Sequence, residues 1–283
     1  MEELATGYGL IEGPTWDPEK GLVFSDVPNG GVFCLDSKGD VSTVVEHRRG
    51  IGGIALHAEG GLVIGGRNVA YRGPKTEGSH VLLAQDCVDN IVGFNDLTTD
   101  AEGRIYVGSL GSSPFVEEGE RRDGHLHLID LDGSSRVLVS GIRLTNGLGF
   151  SPDGKRLYHS DSRRHVIKVY DVVGAGELGP PRNFARVEPG VPDGLCVSED
   201  GSVWVAVARG GEVRVFNPDG SLQTRIETVH MPTSVCFGGD DLRDLYVVSG
   251  SDGTGRANGG SIFRMRVDVP GLPVPPARVP LIS

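Results

Sequence analysis

Short apolar runs punctuated by Gly, Asp and Pro return along the chain in a fixed frame. Residues 12–24 (EGPTWDPEKGLVF), 52–64 (GGIALHAEGGLVI), 95–107 (NDLTTDAEGRIYV), 146–158 (NGLGFSPDGKRLY) and 193–205 (DGLCVSEDGSVWV) align in register, and a sixth, longer copy runs from Thr233 to the apolar stretch beginning at Leu245. Each copy reads as an apolar strand, a turn of the type Asp/Glu-Gly and a second strand, which is a β-hairpin with its turn chemistry in place. A third strand and turn follow in most copies, as in residues 32–39 (VFCLDSKG), 126–133 (LHLIDLDG) and 213–220 (VRVFNPDG). The copies start at residues 12, 52, 95, 146, 193 and 233. Four-stranded units repeated at about 45 residues are the pattern of propeller blades. The chain is therefore expected to be all-β, a six-bladed β-propeller, with residues 1–283 forming one domain. A terminal strand, Ala5–Tyr8 or Val279–Ile282, is expected to complete the last blade.

Composition supports this reading. With 44 Gly and 17 Pro in 283 residues, long helices are excluded as the main architecture, while 38% hydrophobic residues suffice for a large core. A net charge of -11 without any basic run excludes nucleic acid and anionic membranes as partners and favours a cation. The acidic start (Glu2, Glu3) is unlike a secretion signal, and no apolar stretch approaches the roughly 18 residues of a membrane span, so a cytoplasmic location is expected. Cys34, Cys87, Cys196 and Cys236 lack CxxC spacing and read as free thiols.

A propeller brings the same position of every blade to the same height around its axis. The first position of the six copies reads Glu12, Gly52, Asn95, Asn146, Asp193, Thr233. Any one of these alone has the ordinary turn or capping use of Asn and Asp before Gly. Two carboxylates and two carboxamides converging on one axis form a set of hard oxygen ligands suited to Ca²⁺ or Mg²⁺. Glu12 and Asp193 match the charge of one divalent cation, and four ligands leave positions open for water and substrate. Ser109 and Asp161, both at the far end of a second strand, are expected to line the pocket and bind substrate. His125 and His127 share one strand face and read as a surface pair, whereas His159 reads as a core histidine. Residues 114–124 form a long charged segment, either a lid or a solvated loop, and residues 68–78 read as a loop.

These residues resemble the SMP-30/gluconolactonase/LRE (regucalcin-like) group of six-bladed propellers over almost the whole chain. The marks are Glu12-Gly-Pro-Thr-Trp, Phe94-Asn-Asp-Leu with Gly103-Arg-Ile-Tyr-Val-Gly-Ser, residues 145–154 (TNGLGFSPDG), Val191-Pro-Asp-Gly-Leu-Cys-Val, and Thr233-Ser-Val-Cys-Phe-Gly-Gly. The resemblance implies one divalent metal, Ca²⁺ first with Mg²⁺, Mn²⁺, Zn²⁺ or Fe²⁺ as alternatives, held at Glu12, Asn146 and Asp193. It places Asn95 on the metal, its water or the substrate. It also implies hydrolysis of a small lactone, with organophosphate and aryl-ester cleavage as the alternative activity. Asp193 is then the expected general base, and Asn95 orients water or substrate. Two positions depart from the family: Gly93 stands where sugar lactonases often carry a substrate-binding Arg, and the stretch Leu110-Gly-Ser-Ser-Pro114 lacks an expected acid. Gly93 points to lactones with few hydroxyls. A propeller that binds metal only to brace its channel, and a ligand without chemistry, is the reading from outside enzymology.

Overall fold

The computed structural model describes residues 1–75, 77–114 and 121–281. Six antiparallel sheets form six blades, the first five built from consecutive strands and the sixth from three consecutive strands plus the N-terminal one, and the fourth carries an additional two-residue strand, Glu177–Leu178. The innermost strands are Ile11–Asp17, Ile54–Leu56, Gly93–Thr99, Thr145–Phe150, Val191–Val197 and Pro232–Gly238. Each packs against the inner strands of its two neighbours, so the six close a ring around a central channel. The fold is the six-bladed β-propeller that the repeat predicts.

Burial follows position within the blade. The second strand of blade 5, Val203–Ala208, is buried at every residue because both its faces meet neighbouring blades, and such strands read as unbroken apolar runs. The outer strand of the same blade, Leu222–Glu227, is mostly exposed. Trp204, Val213 and Val215 of blade 5 pack on Val235, Phe237 and Val247 of blade 6, and equivalent clusters fill the other interfaces. The Asp-Gly turns work as expected: Asp200 Oδ1 accepts the N–H of Ser202 at 3.0 Å, and Gly201 takes the left-handed conformation, φ 83°, that closes the hairpin.

Of the two termini, the N-terminal strand closes the ring. Glu2–Tyr8 pairs antiparallel with Gly260–Arg266 and becomes the outer strand of blade 6. The C-terminal segment does something else. It leaves blade 6, meets blade 5 through the Leu272 N–H to the Val197 carbonyl, then reaches blades 2 and 3, where Ala277 N–H bonds Leu56 O and Arg278 N–H bonds Gly103 O. Ala277 and Val279 are buried in the core between blades 2 and 3. Apolar side chains spaced at 277 and 279 fit this docking as well as they fit a blade strand, which is why sequence left both termini open. Ile282 lies outside the described residues, as do 115–120, the centre of the expected lid. No helix among the described residues is long and apolar enough to cross a membrane.

Candidate metal and active site

Irregular pairing at one height of the inner strands shapes the site. Register shifts fall between Glu12 and Thr15, Phe94 and Leu97, Thr145 and Leu148, Pro192 and Leu195, and Pro232 and Ser234. These contain the positions of Asn95, Asn146, Asp193 and Thr233 and directly follow Glu12, and a bulge re-aims the side chain it carries. Blade 2, whose ring position is Gly52, pairs without a shift. Its glycine is required all the same, because a Cβ there would lie 1.9 Å from Asn95 Oδ1.

The structure brings expected residues together in pairs: Asn95 is hydrogen-bonded to Asn146, and Glu12 lies within electrostatic reach of Asp193. Asn95 Nδ2 donates to the Thr145 carbonyl at 2.8 Å and to Asn146 Oδ1 at 2.5 Å, and Asn146 Nδ2 donates to Ser162 Oγ at 2.8 Å. Glu12, Asn146 and Asp193 are 9%, 8% and 7% exposed. Burial, then Asp193, then Asp96 raise the Glu12 carboxyl well above its ordinary range, and burial followed by Asp96 does the same to Asp193. Only the N–H groups of Gly13 and Gly194 act in the opposite direction. Asp193 Oδ1 is buried with no hydrogen-bond partner.

A third carboxylate, Asp96, was missed by the sequence reading. It is 8% exposed, and burial pushes it up to about 7. The signal was present one residue after the ring, where the copies read Gly13, Gly53, Asp96, Gly147, Gly194 and Ser234, a small residue everywhere but in blade 3. Asp96 reaches a cavity of about 770 Å³ on the side of the ring facing the hairpin turns, bounded also by Gly13, Gly147, Ser234 and, from the C-terminal segment, Leu272 and Pro275.

An unpartnered carboxylate oxygen, acidic neighbours that raise one another and an all-oxygen donor set fit a hard divalent cation, which would offset the repulsion. Among the described residues no three His, Cys, Asp or Glu side chains have ligand geometry. The donors here are two carboxylates with two amides, so the fit rests on that mixed set.

Two of the three expected substrate-binding residues, Ser109 and Asp161, are engaged inside the protein. Ser109 is buried, its Oγ accepting the His125 N–H at 3.0 Å and hydrogen-bonded to His127 Nε2 at 2.8 Å, so the hydroxyl is committed within blade 3. Asp161 is fully buried, accepts the Leu144 N–H at 3.1 Å and pairs with Arg164 at 2.6 Å, which makes it a brace for the loop entering blade 4. Alternation along a strand cannot say which face meets the next blade, and that is why both were misplaced. The same ambiguity affected His127, which is buried and not on the surface. His159 is a core histidine, with Nε2 2.7 Å from Thr145 Oγ1.

Residues 10–251 match the family model described as SMP-30/Gluconolactonase/LRE-like region. The chain belongs to this family. Among its SMP-30/gluconolactonase/LRE-like relatives, it is 32% identical over 283 residues to a 6-deoxy-6-sulfogluconolactonase of Pseudomonas putida, covering 94% of each chain. It is 29% identical to a pentonolactonase of Haloferax volcanii, over 95% of this chain and 94% of that one, and 30% identical to regucalcin of Gallus gallus over 94% of each. Of solved structures, a luciferin-regenerating enzyme superposes with a TM-score of 0.87 at 23% identity, over 98% of this chain and 99% of that one. A calcium-binding protein, regucalcin, from Agrobacterium tumefaciens gives 0.85 at 22%, over 98% and 97%. These two likenesses carry the fold. Against the family pattern, position 93 has no room for a side chain: Gly93 has φ 154°, and a Cβ would lie 2.9 Å from the Gly66 carbonyl. The Phe94 N–H bonds that same carbonyl at 2.6 Å, drawing the two backbones together.

Proposed function

We propose that this chain, acting as one domain, hydrolyses the ring ester of a small lactone with one divalent cation, Ca²⁺ in the first instance, bound by Glu12, Asn146 and Asp193 and with Asn95 beside it. The observation that carries the reading is the buried Asp193 oxygen with no partner. The lactonases among the relatives support the same reaction class. The cation, when bound, supplies positive charge that polarises the ring carbonyl. Asp193, with one oxygen left unpartnered by the protein, takes the proton of the attacking water. The proton then passes to the alkoxide released from the ring, giving a hydroxy acid. Asn95, whose NH₂ group is fully engaged, offers its carbonyl oxygen to hold a water or a substrate hydroxyl. Glu12 and Asn146 hold the ion.

The test is a pH-indicator assay of lactones and an aryl ester on chelator-treated protein, with each divalent cation added back. Restored hydrolysis of at least one lactone is expected; a panel on which no cation restores any lactone hydrolysis overturns the proposal. The closed Gly93 position leaves the mouth without a guanidinium for substrate hydroxyls, so an unsubstituted six-membered lactone should match or exceed gluconolactone in kcat/KM. A tenfold advantage for gluconolactone would overturn that preference and leave the lactonase reading standing.

A further inference from the structure

An Asn side chain presents either a carbonyl oxygen or an NH₂ group according to rotation about one bond. The cation site proposed above, on which this inference rests, needs the oxygen of Asn146 turned toward the ring. Ser162 decides that rotation. Its Oγ donates to the Pro192 carbonyl at 2.6 Å, and a carbonyl can only accept, so the single hydroxyl hydrogen is committed there. The hydroxyl has only lone pairs left for Asn146, 2.8 Å away, and the group facing it must be Nδ2. Asn146 Oδ1 is thereby turned to the other side, where it accepts from Asn95 Nδ2. Asn95 also donates to Thr145 O, which leaves its own oxygen beside Gly52.

We infer that Ser162 is a positioning residue that fixes the polarity of Asn146 and, through Pro192, ties this ligand of blade 4 to the strand carrying Asp193 in blade 5. Ser162 is 1% exposed and Pro192 is buried, so bulk water has no access to replace the hydroxyl. Groups that orient a metal ligand typically govern 10- to 100-fold in affinity. Ser160, two residues earlier on the strand Arg156–Asp161 that leads into Ser162, is the natural control, since its buried hydroxyl has no partner.

The experiment is calorimetric titration of Ca²⁺ and Mn²⁺ into wild type, Ser162→Ala and Ser160→Ala, and into the Asn146→Asp background with and without Ser162→Ala. A carboxylate has no wrong way round, so the background separates orientation from general support of the fold. Ser162→Ala should weaken cation binding about 10- to 100-fold in the wild-type background and at most about threefold with Asp at 146, with Ser160→Ala unchanged. Binding by Ser162→Ala within twofold of wild type, or an equal loss in both backgrounds, overturns the inference and leaves the cation site standing. Absence of binding by the wild-type protein overturns the cation site itself, and this inference with it. If Ser162→Ala fails to fold, Ser162→Cys keeps the bulk while weakening both hydrogen bonds, and the same dependence on background decides.

Discussion

Replacing Asp193 by Asn keeps an oxygen available to a cation and removes the proton acceptor. If Asp193 serves as both ligand and base, Asp193→Asn should lower kcat by about 10²- to 10⁴-fold, the usual contribution of a general base, while cation affinity falls far less. Lactone turnover measured against cation concentration, with occupancy followed by calorimetry, separates the two duties. Recovery of full activity at saturation would leave Asp193 as a ligand only. The residues of this proposed ring stand out in the sequence because they fill one repeating position with carboxylate or carboxamide side chains where the other two copies carry Gly or Thr. Asp96 does not, although the next position betrays it by the same logic, because Asn-Asp at 95–96 looks like turn chemistry until its burial is known. Ser109 and Asp161 show the converse error. Their place at the end of a second strand was right, but Ser109 is taken up by His125 and His127 of the neighbouring strand and Asp161 by Arg164 three residues on, contacts that strand alternation does not show.

At the scale of elements, strand and turn patterns predicted the six hairpins because second strands sandwiched between blades carry apolar runs, unbroken in Val203–Ala208, and turns such as the Asp-Gly pair at 200–201 precede them. The shifts of register that aim the ring side chains leave no comparable trace: a bulge adds one residue without altering composition. The C-terminal segment is the clearest limit of local reading, since Val279 is buried by docking between blades and not by a ladder. Val279 is 1% exposed, whereas Val274, five residues earlier, is 56% exposed. Val279→Ala should therefore cost about 1–3 kcal/mol from lost apolar burial and the cavity left behind, and Val274→Ala should be nearly neutral. Urea unfolding of both variants at neutral pH checks this. Equal midpoints for the two would show that the segment does not pack as described.

For the whole molecule, closing six blades into a ring buries ionisable groups that an open sheet would leave wet, so stability depends on pH. His127 and His159 are both buried, and burial lowers each to about 4. Neighbouring His125 adds to the effect at His127, while Asp161 opposes it at His159. A histidine in the unfolded chain titrates near 6.5, so between pH 6.5 and 4 the unfolded chain binds protons that the folded protein refuses. Stability from each group is complete above about pH 6.5, falls as the pH drops toward 4, and levels off below, a loss of about 3 kcal/mol per histidine. Carboxylates elsewhere titrate in the same range, but their contribution cancels when a variant is compared with wild type across pH. Replacing His127 by Gln removes one of the two protonation sites and keeps a side chain able to hydrogen-bond Ser109. His127→Gln should be less stable than wild type at pH 7.5 and lose less on acidification, so the two stability curves converge by pH 4.5. Urea unfolding at both pH values, with chelator present throughout to keep any bound cation from adding its own pH dependence, measures the two gaps. Parallel curves would mean that His127 accepts its proton in the folded state as readily as in the unfolded one, and that the Ser109 contact does not depend on a neutral ring.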